Sequence, residues 1–388
     1  MSTEIPKPPW TRVQWYTGPK QQDLVFNYTT GEWQEYLHEE AEALKEQIQP
    51  YDKTELWDLA KRITNPYELI NTYSSRLSLP TSVCLLKPLS RSYFKMIEML
   101  QVLQFFDRHK PAKFKTLHIC EGPGGFMEAF TSLADYNKRK IQACYGMTLK
   151  STHTMIPGWR RANTFLQKNP HIQLLYGPTR TGDIYIPENQ QACYETVGSL
   201  GAHLVTADGG FDFSDDFHAQ EKKIFRLLIS SAIILLQCVA TEGDVVLKFF
   251  DCNSQATCDL LALLASCFKS WTLYKPVTSR PCNSEWYFLG KSAFFHREPI
   301  LKILKQVRDG LAAEPPIEYT SLLSQNTLTS TLQTLQAKRV ELQVNSLKEV
   351  LSFCKVKETL NLEELWKSQI LACAKWCYTF HMPTSIKI

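Results

Sequence analysis

Between Thr116 and Phe295 the chain alternates short β-prone apolar runs with helical stretches, and no other feature restricts its fold so tightly. The runs are TLHIC, IQACYGMTL, IQLLYG near residue 172, AHLVTADGG, GDVVLKFF, WTLYKP and EWYFLGKSAFF. Helical patterns start at Gly125, run from about Asp216 to Ala240, and run from about Gln255 to Phe268. Strands that are apolar on both faces and separated by helices predict a parallel sheet covered on both sides. No helix separates the last two runs, which predicts an antiparallel hairpin at one edge. The expected architecture is α/β, with a seven-stranded, mostly parallel sheet and an antiparallel edge strand.

Helical regions flank this core. Residues 1 to about 34 have no periodicity and read as an irregular arm. Apolar spacing from Glu35 to Ile63 predicts two helices interrupted near Pro50. Asn65-Pro66 and Leu79-Pro80 punctuate the approach to a third helix, SRSYFKMIEMLQVLQFFDR, with Ser90 as its N-cap. From Pro299 the pattern is helical with a break at EPPIEY. In the final QILACAKWCYTFHMP an apolar stripe of Leu371, Trp376 and Phe380 predicts docking on the core or on a partner. The expected division is 1–87, an N-terminal arm and helical region; 88–297, the sheet domain; and 298–388, a C-terminal helical extension.

No stretch approaches the ~20 apolar residues that span a bilayer. The start, MSTEIPKPPW, lacks the basic head and apolar run of a signal peptide. The twelve cysteines are scattered without a Cys-x-x-Cys pair, and Cys252/Cys258 and Cys373/Cys377 lack His or Cys partners at zinc spacing. They read as small apolar residues of a reducing compartment, with no metal site. An intracellular or virion location, neither secreted nor membrane-bound, is expected. The formal net charge of +4 is too mild to decide for or against nucleic acid.

The chemistry concentrates where strands end and helices begin, the usual ligand position in open α/β sheets. Cys120-Glu121-Gly122-Pro123-Gly124-Gly125-Phe126 stands at the first such junction. Glycines let backbone approach a ligand, and a helix start supplies unpaired N–H groups. The turn lacks the Gly-Lys-Ser/Thr of a phosphate loop and the Gly-x-Gly-x-x-Gly of a dinucleotide site. Its acid would repel a pyrophosphate but suits a cationic ligand end, such as the ammonium of S-adenosylmethionine. Taken alone, the turn fits tight strand-to-helix packing equally well.

Three strand-end residues add to it. Asp208 closes one apolar strand, Lys248 lies late in another, and Glu285 begins the last. A lysine in an apolar strand requires a carboxylate partner. Lys95 lies in the helix before the sheet. Each has a bland alternative as a solvated helix lysine, a turn acid or an exposed strand-end residue. Their ordered occurrence with the glycine turn favours a shared site.

With NPYELI, SRSYFKMIEM, CEGPGGFMEAF, YGMTLK, TGDI, ADGGFD, VVLKFF and SEWYFLG in this order, the chain from about Asn65 to Phe295 resembles the FtsJ-like ribose 2′-O-methyltransferases. Within them it is most similar to the messenger-RNA cap methyltransferases of eukaryotes and large DNA viruses. The resemblance implies a Rossmann-like S-adenosylmethionine-dependent fold and a Lys-Asp-Lys-Glu tetrad at Lys95, Asp208, Lys248 and Glu285. It places Glu121, Gly122, Pro123, Gly124, Gly125 and Phe126 around the methionine part of the cofactor, and Asp183 at the adenine amino group. Asp208 borders the same pocket. The second strand ends without an acid for the cofactor ribose, and backbone at Met147 and Thr148 takes that place. Lys248 is expected to contact the 2′-oxygen, with S-adenosylhomocysteine as product.

RNA requires a basic path. Lys87, Arg91, Arg160, Arg161 and Arg180 flank the expected catalytic end, and Tyr93, Phe94 and Trp159 are candidate stacking groups, although aromatics beside helices are more often core. Asn137 to Lys140 should face solvent at the opposite edge. Trp10, Trp15 and Tyr16 are offered for a cap guanine only as exposed aromatics. His118, His203 and His218 read as structural, and Asp212, Asp215 and Asp216 as loop and helix-start charges. The expected partner is capped messenger RNA, with transcription or capping machinery as a further candidate. Alternatives are a ribosomal or transfer RNA 2′-O-methyltransferase, an inactive RNA- or polymerase-binding relative and, remotely, a nicotinamide oxidoreductase.

Overall fold

The computed structural model of the protein describes residues 13–36, 38–72, 80–151, 157–210, 220–356 and 362–387. The arm is not wholly irregular, for it contains β1 (Phe26–Thr30). Helices α1 (Glu39–Glu46) and α2 (Glu55–Ile63) follow on either side of Pro50, as the spacing predicts. Thr54 Oγ1 caps α2 by accepting from Trp57 N at 3.2 Å.

The next helix, α3 (Ser92–Val102), starts later than expected. Ser90 is not its cap: Arg91 holds that position without a capping bond, and Ser90 Oγ instead lies 2.5 Å from Ser92 Oγ. Gln104, at φ +51°, then separates a short α4 (Phe105–Arg108) from α3. Neither Gly nor Pro marks that break in the sequence.

Seven strands form the sheet: β2 (Phe114–Ile119), β3 (Ile141–Met147), β4 (Ile172–Leu175), β5 (Ala202–Ala207), β6 (Val239–Phe249), β7 (Phe268–Tyr274) and β8 (Trp286–Ala293). Their spatial order is β4-β3-β2-β5-β6-β8-β7. β2 to β6 are parallel, while β8 is antiparallel to both neighbours. The hairpin stands at an edge as expected, but its reversed strand is the inner one, and β7 is outermost. Crossovers carry α5 (Gly125–Tyr136), α6 (Asn163–Lys168), α7 (Pro187–Val197), α8 (Gln220–Cys238) and α9 (Gln255–Ala265). The chain winds outward from β2 through β3 to β4, then restarts beside β2 at β5, so the crevice at the carboxyl ends of β2 and β5 is the topological switch point.

Alternation along the strands divides the core into two faces. Val205, Val245 and Leu247 pack with α8, whose Ile229, Ile233 and Leu236 are fully buried. Leu204, Val246 and Leu289 face the other way, toward Phe94 of α3 and Phe126 and Phe130 of α5. Each such buried side chain contributes about 1.5–3 kcal/mol, so two-sided burial accounts for the continuous apolar runs. Among the described residues no helix is long and apolar enough to cross a membrane. All twelve cysteines are free thiols, ten of them buried.

Beyond the sheet come α10 (Glu298–Leu311), β9 (Tyr319–Leu323), α11 (Thr329–Val356) and α12 (Leu362–Thr379). β9 pairs antiparallel with β1, which corrects both the irregular arm and the all-helical extension. The partners Phe26 and Leu323 are 297 residues apart in the chain, so neither strand has a local signal. Further up the arm, Tyr16 exchanges two 2.8 Å backbone hydrogen bonds with Trp271 of the outermost strand, and Thr272 Oγ1 donates to Gln14 O at 2.7 Å. In α12 and the residue after it the docking stripe includes Trp376 and Phe380 as expected, but Leu371 is exposed. Gln369, Cys373 and Cys377 share the buried face instead.

Candidate active site

Backbone hydrogen bonds draw three strand ends together. Glu121 N donates to Met147 O (3.4 Å) and Asp208 N to Ile119 O (3.3 Å). The turn between β2 and α5 contains a cis Gly122-Pro123 bond, and Gly124 holds φ +113°, a conformation side chains disfavour. A Cβ on Gly122 would stand 2.7 Å from Gly158 O. The glycine requirement is therefore partly internal, because the 157–161 turn packs on the junction.

Glu121 is buried. Its Oε1 accepts from Phe126 N and from Met127 N (3.3 Å), whereas its Oε2 has no partner among the described residues. Burial, then the charge of Asp208, pushes its pKa well above the usual carboxylate range. An orphaned acid oxygen at this junction is a fitting receptor for a ligand cation. Phe126 contributes its N–H, while its ring is core. Thr148 and Met147 are buried at the end of β3. Thr148 O would lie only 2.1 Å from a Cβ on Gly182, so the turn carrying Asp183 packs on that strand end. Asp183 Oδ1 accepts from Tyr185 N at 2.8 Å.

The four residues of the expected tetrad converge as two ion pairs. Lys95 Nζ of α3 lies 2.6 Å from Glu285 Oε1, and Lys248 Nζ of β6 lies 3.2 Å from Asp208 Oδ1. Two further groups, missed in the sequence, complete the arrangement. Tyr287, paired across the strands with Lys248, donates its hydroxyl to Asp208 Oδ1 (3.0 Å), and Ser279 donates to Glu285 Oε1 (2.7 Å). Tyr287 stands two residues after Glu285, which immediately precedes β8, and that spacing of two was its only local signal. Lys275 Nζ donates to Glu285 O at 3.0 Å.

Charge follows from these contacts. Burial alone would lower the pKa of Lys248, but Asp208 and Glu285 outweigh it and raise the value, so the amine stays an ammonium. Burial would likewise raise Glu285, yet Lys95 and Lys248 bring it down to about 2. Two fixed cations balanced by two anions can stabilise negative charge that develops on an oxygen between them.

A family model described as FtsJ-like methyltransferase matches residues 88–293, more than half of the chain. The chain belongs to the FtsJ-like methyltransferase family. The cap-specific mRNA (nucleoside-2′-O-)-methyltransferase 1 of mouse is 34% identical over 181 residues, covering 45% of this chain and 20% of the relative. Its bovine counterpart is 32% identical over 180 residues, with 45% and 21% covered. The cap-specific mRNA (nucleoside-2′-O-)-methyltransferase of Autographa californica nuclear polyhedrosis virus is 30% identical over 175 residues, covering 45% of this chain and 62% of the viral protein. The matched region therefore spans about a fifth of the mammalian relatives and under two thirds of the viral one.

Not every residue singled out in the sequence joins the site of this FtsJ-like domain. Arg91 is not available as an RNA contact: its guanidinium donates to Glu68 O (2.9 Å), Asn71 O (2.6 Å) and Thr278 O (3.3 Å). Tyr93, Phe94 and Trp159 are buried and offer no stacking face. Lys87, Arg160, Arg161 and Arg180 are exposed; Arg160 and Arg161 sit on the turn that packs against Gly122, and Arg160 Nε donates to Pro157 O at 3.3 Å. Lys138 and the rest of residues 137–140 lie at the opposite end of the sheet, before β3. Trp15 and Tyr16 are not exposed aromatics: Trp15 lies beneath Lys291 Nζ, 3.6 Å from its ring centroid, and Tyr16 packs on Trp271. Lys291 is at the far end of β8 from Glu285, so these rings stand away from the tetrad. His118, between Thr206 Oγ1 (2.8 Å) and Thr116 Oγ1 (3.1 Å), is driven down to about 3 by burial and is structural, while His203 Nδ1 accepts from Lys115 N at 3.1 Å. Trp10, His218, Asp212, Asp215 and Asp216 lie outside the described residues.

Proposed function

We propose that this methyltransferase moves a methyl group from S-adenosylmethionine to a ribose 2′-hydroxyl of RNA, at the first nucleotides of capped messenger RNA. The observation that carries the proposal is the pairing of Lys95 with Glu285 and Lys248 with Asp208 beside a Glu121 oxygen that has no partner among the described residues. The cap-specific names of the mouse, bovine and viral relatives support the choice of substrate.

Glu121 Oε2 would receive the ammonium of the methionine part, with the Gly122–Gly125 turn beside it. Met147, Thr148 and Asp183 border the adenosine side. Bound there, the cofactor supplies a methyl already activated by its sulfonium. The chain's own residues then have to place the acceptor oxygen in line and stabilise its charge. Lys248 acts in this scheme as a permanent cation rather than a base, since Asp208 and Glu285 keep it protonated, so the hydroxyl proton passes to solvent as the oxygen takes the methyl, the C–S bond breaks and S-adenosylhomocysteine is left. Tyr287 and Asp208 fix the position of Lys248, and Lys95 with Glu285 adds the second charge pair. Exposed Arg160, Arg161, Arg180 and Lys87 supply phosphate contacts.

The deciding experiment is mass mapping of methyl groups on a short RNA incubated with the protein and S-adenosylmethionine, in capped and uncapped forms. Ribose methylation at the cap-adjacent nucleotides of the capped RNA is expected. Methylation confined to a base, or to uncapped ribosomal or transfer RNA, overturns the assignment.

A further inference from the structure

The loop from Lys275 to Ser284 joins β7 to β8 and delivers Glu285 to Lys95. Its shape is set from outside the sheet. Arg91, Lys95 and Glu98 recur at helical spacing and reach it in turn, through Thr278 O, Glu285 Oε1 and the loop backbone.

Glu98 is the centre of this contact and is fully buried. Its Oε2 accepts from Tyr274 OH (2.8 Å) and Val277 N (2.8 Å), and its Oε1 from Thr278 N (3.0 Å) and Thr278 Oγ1 (2.6 Å). A fifth donor, Trp376 Nε1 at 3.2 Å, comes from α12. Three of these five partners are N–H groups, which can only donate, so the carboxyl accepts from all three whatever the orientation of the two hydroxyls. Burial pushes its pKa up and outweighs the bonds from Thr278 and Tyr274, which pull the other way.

The indole is itself immobilised. Its ring packs on Phe94 (5.6 Å) and Phe380 (4.4 Å), and two turns earlier on the same helical face Gln369 Nε2 donates to Arg62 O (3.0 Å) and Ile63 O (2.7 Å). On the loop side, Ser279 follows Thr278 directly and bonds Glu285 Oε1 at 2.7 Å. A continuous path therefore runs from Trp376 through Glu98, Thr278 and Ser279 to Glu285 and Lys95.

We propose that Glu98 and Trp376 are positioning residues for the methyl transfer, so that the C-terminal helical extension forms part of the catalytic apparatus through the 275–284 loop. The inference rests on the reaction assigned above. Misplacement of a charged group by about 1 Å is enough to cost a reaction much of its rate, and second-layer hydrogen bonds are what hold such groups in place.

The test uses the full chain with short capped RNA and S-adenosylmethionine. Trp376→Phe keeps an aromatic against Phe94 and Phe380 but removes the N–H. Glu98→Gln keeps the shape but turns an acceptor into a donor. Ser279→Ala cuts the last link without touching α12, and Ser279→Thr restores its hydroxyl. The expected result is a fall in kcat of about fivefold for Trp376→Phe and about tenfold or more for Glu98→Gln and Ser279→Ala, as loss of a bond to a charged group implies. The KM values for RNA and cofactor stay unchanged, Ser279→Thr regains rate, and amide hydrogen exchange at 277–285 quickens in Trp376→Phe. Wild-type kcat together with wild-type exchange in Trp376→Phe overturns the proposal, even if Glu98→Gln fails to fold. Should the wild type methylate no ribose, the assigned reaction is wrong, and exchange at 277–285 in Trp376→Phe alone decides whether α12 sets the loop.

Discussion

Lys95 and Glu285 are separated by 190 residues of chain and by 2.6 Å of space. One comes from a helix ahead of the sheet and the other from the loop that enters its reversed strand. Their pairing depends on the whole winding of the domain, because β8 must run back between β6 and β7 to bring Glu285 to the carboxyl ends of the parallel strands. The second pair, Lys248 with Asp208, needs only the adjacency of β5 and β6.

Removing the central cation should stop the chemistry. Lys248→Ala is expected to lower methyl transfer to capped RNA by about 10³-fold, the scale of losing a main charge stabiliser. Binding of S-adenosylhomocysteine, measured by titration calorimetry, should change little. Near-normal turnover in this variant would refute the role given to Lys248.

Acid should weaken the fold through two carboxylates. Glu285 is held at about 2 despite burial by Lys95 and Lys248, and Glu68, also despite burial, at about 2 by Arg280 and Arg91. An unfolded glutamate titrates at about 4.3. Their folded values are depressed, so the stability they contribute is complete above that pH and is lost as pH falls toward 2. Melting temperatures should drop between about pH 5 and about pH 3, and Glu285→Gln should flatten that dependence. An unchanged slope in the variant would argue against a depressed Glu285.

Glu68 also predicts a mutational effect of its own. It is almost fully buried and accepts from Asn65 Nδ2 (2.8 Å), Arg280 Nε (3.1 Å) and Arg280 Nη2 (2.9 Å). Glu68→Ala would leave Arg280 and Arg91 without their counter-charge, at about 3–5 kcal/mol. Chemical denaturation should show the loss, and a change below about 1 kcal/mol would place Glu68 with exposed pairs.

The glycine turn should respond to a single methyl. Gly122→Ala places a Cβ against the backbone oxygen of Gly158, which cannot swing away as a side chain could. Affinity for S-adenosylhomocysteine is expected to fall about tenfold or more, in line with displaced binding geometry. Unaltered calorimetric affinity would mean the 157–161 turn gives way freely.

Arginines that look alike in the sequence should behave differently. Arg160→Ala with Arg161→Ala should weaken RNA binding and reduce the salt slope by about 0.7 for each phosphate no longer neutralised. Arg91→Ala should instead lower the melting temperature, because its guanidinium bonds backbone carbonyls. Equal salt slopes for all three variants would refute the distinction.

The parallel sheet was legible because two-sided burial leaves continuous apolar runs, and Lys248 and Asp208 stood out as charges ending such runs. Glu121 was legible as an acid in a glycine turn, although the sequence could not show that Gly158 fills the space above Gly122. What escaped detection depends on distant partners. β1 and β9 pair Phe26 with Leu323 across 297 residues of chain, Arg91 resembles any helix-start arginine until Glu68 and Thr278 surround it, and Glu98 occupies an ordinary position in an apolar helix. Ser90 has the composition of a cap, but its hydroxyl is engaged by Ser92.

The backbone exchange between Tyr16 and Trp271 bears on how the molecule behaves in solution. It occupies hydrogen-bonding groups of the outermost strand that would otherwise invite the edge of another copy. Variants trimmed past Tyr16 should therefore clump at high protein concentration while the tetrad remains assembled, and a drop in yield from such a truncation would reflect sticking between sheets rather than damage to the reaction centre.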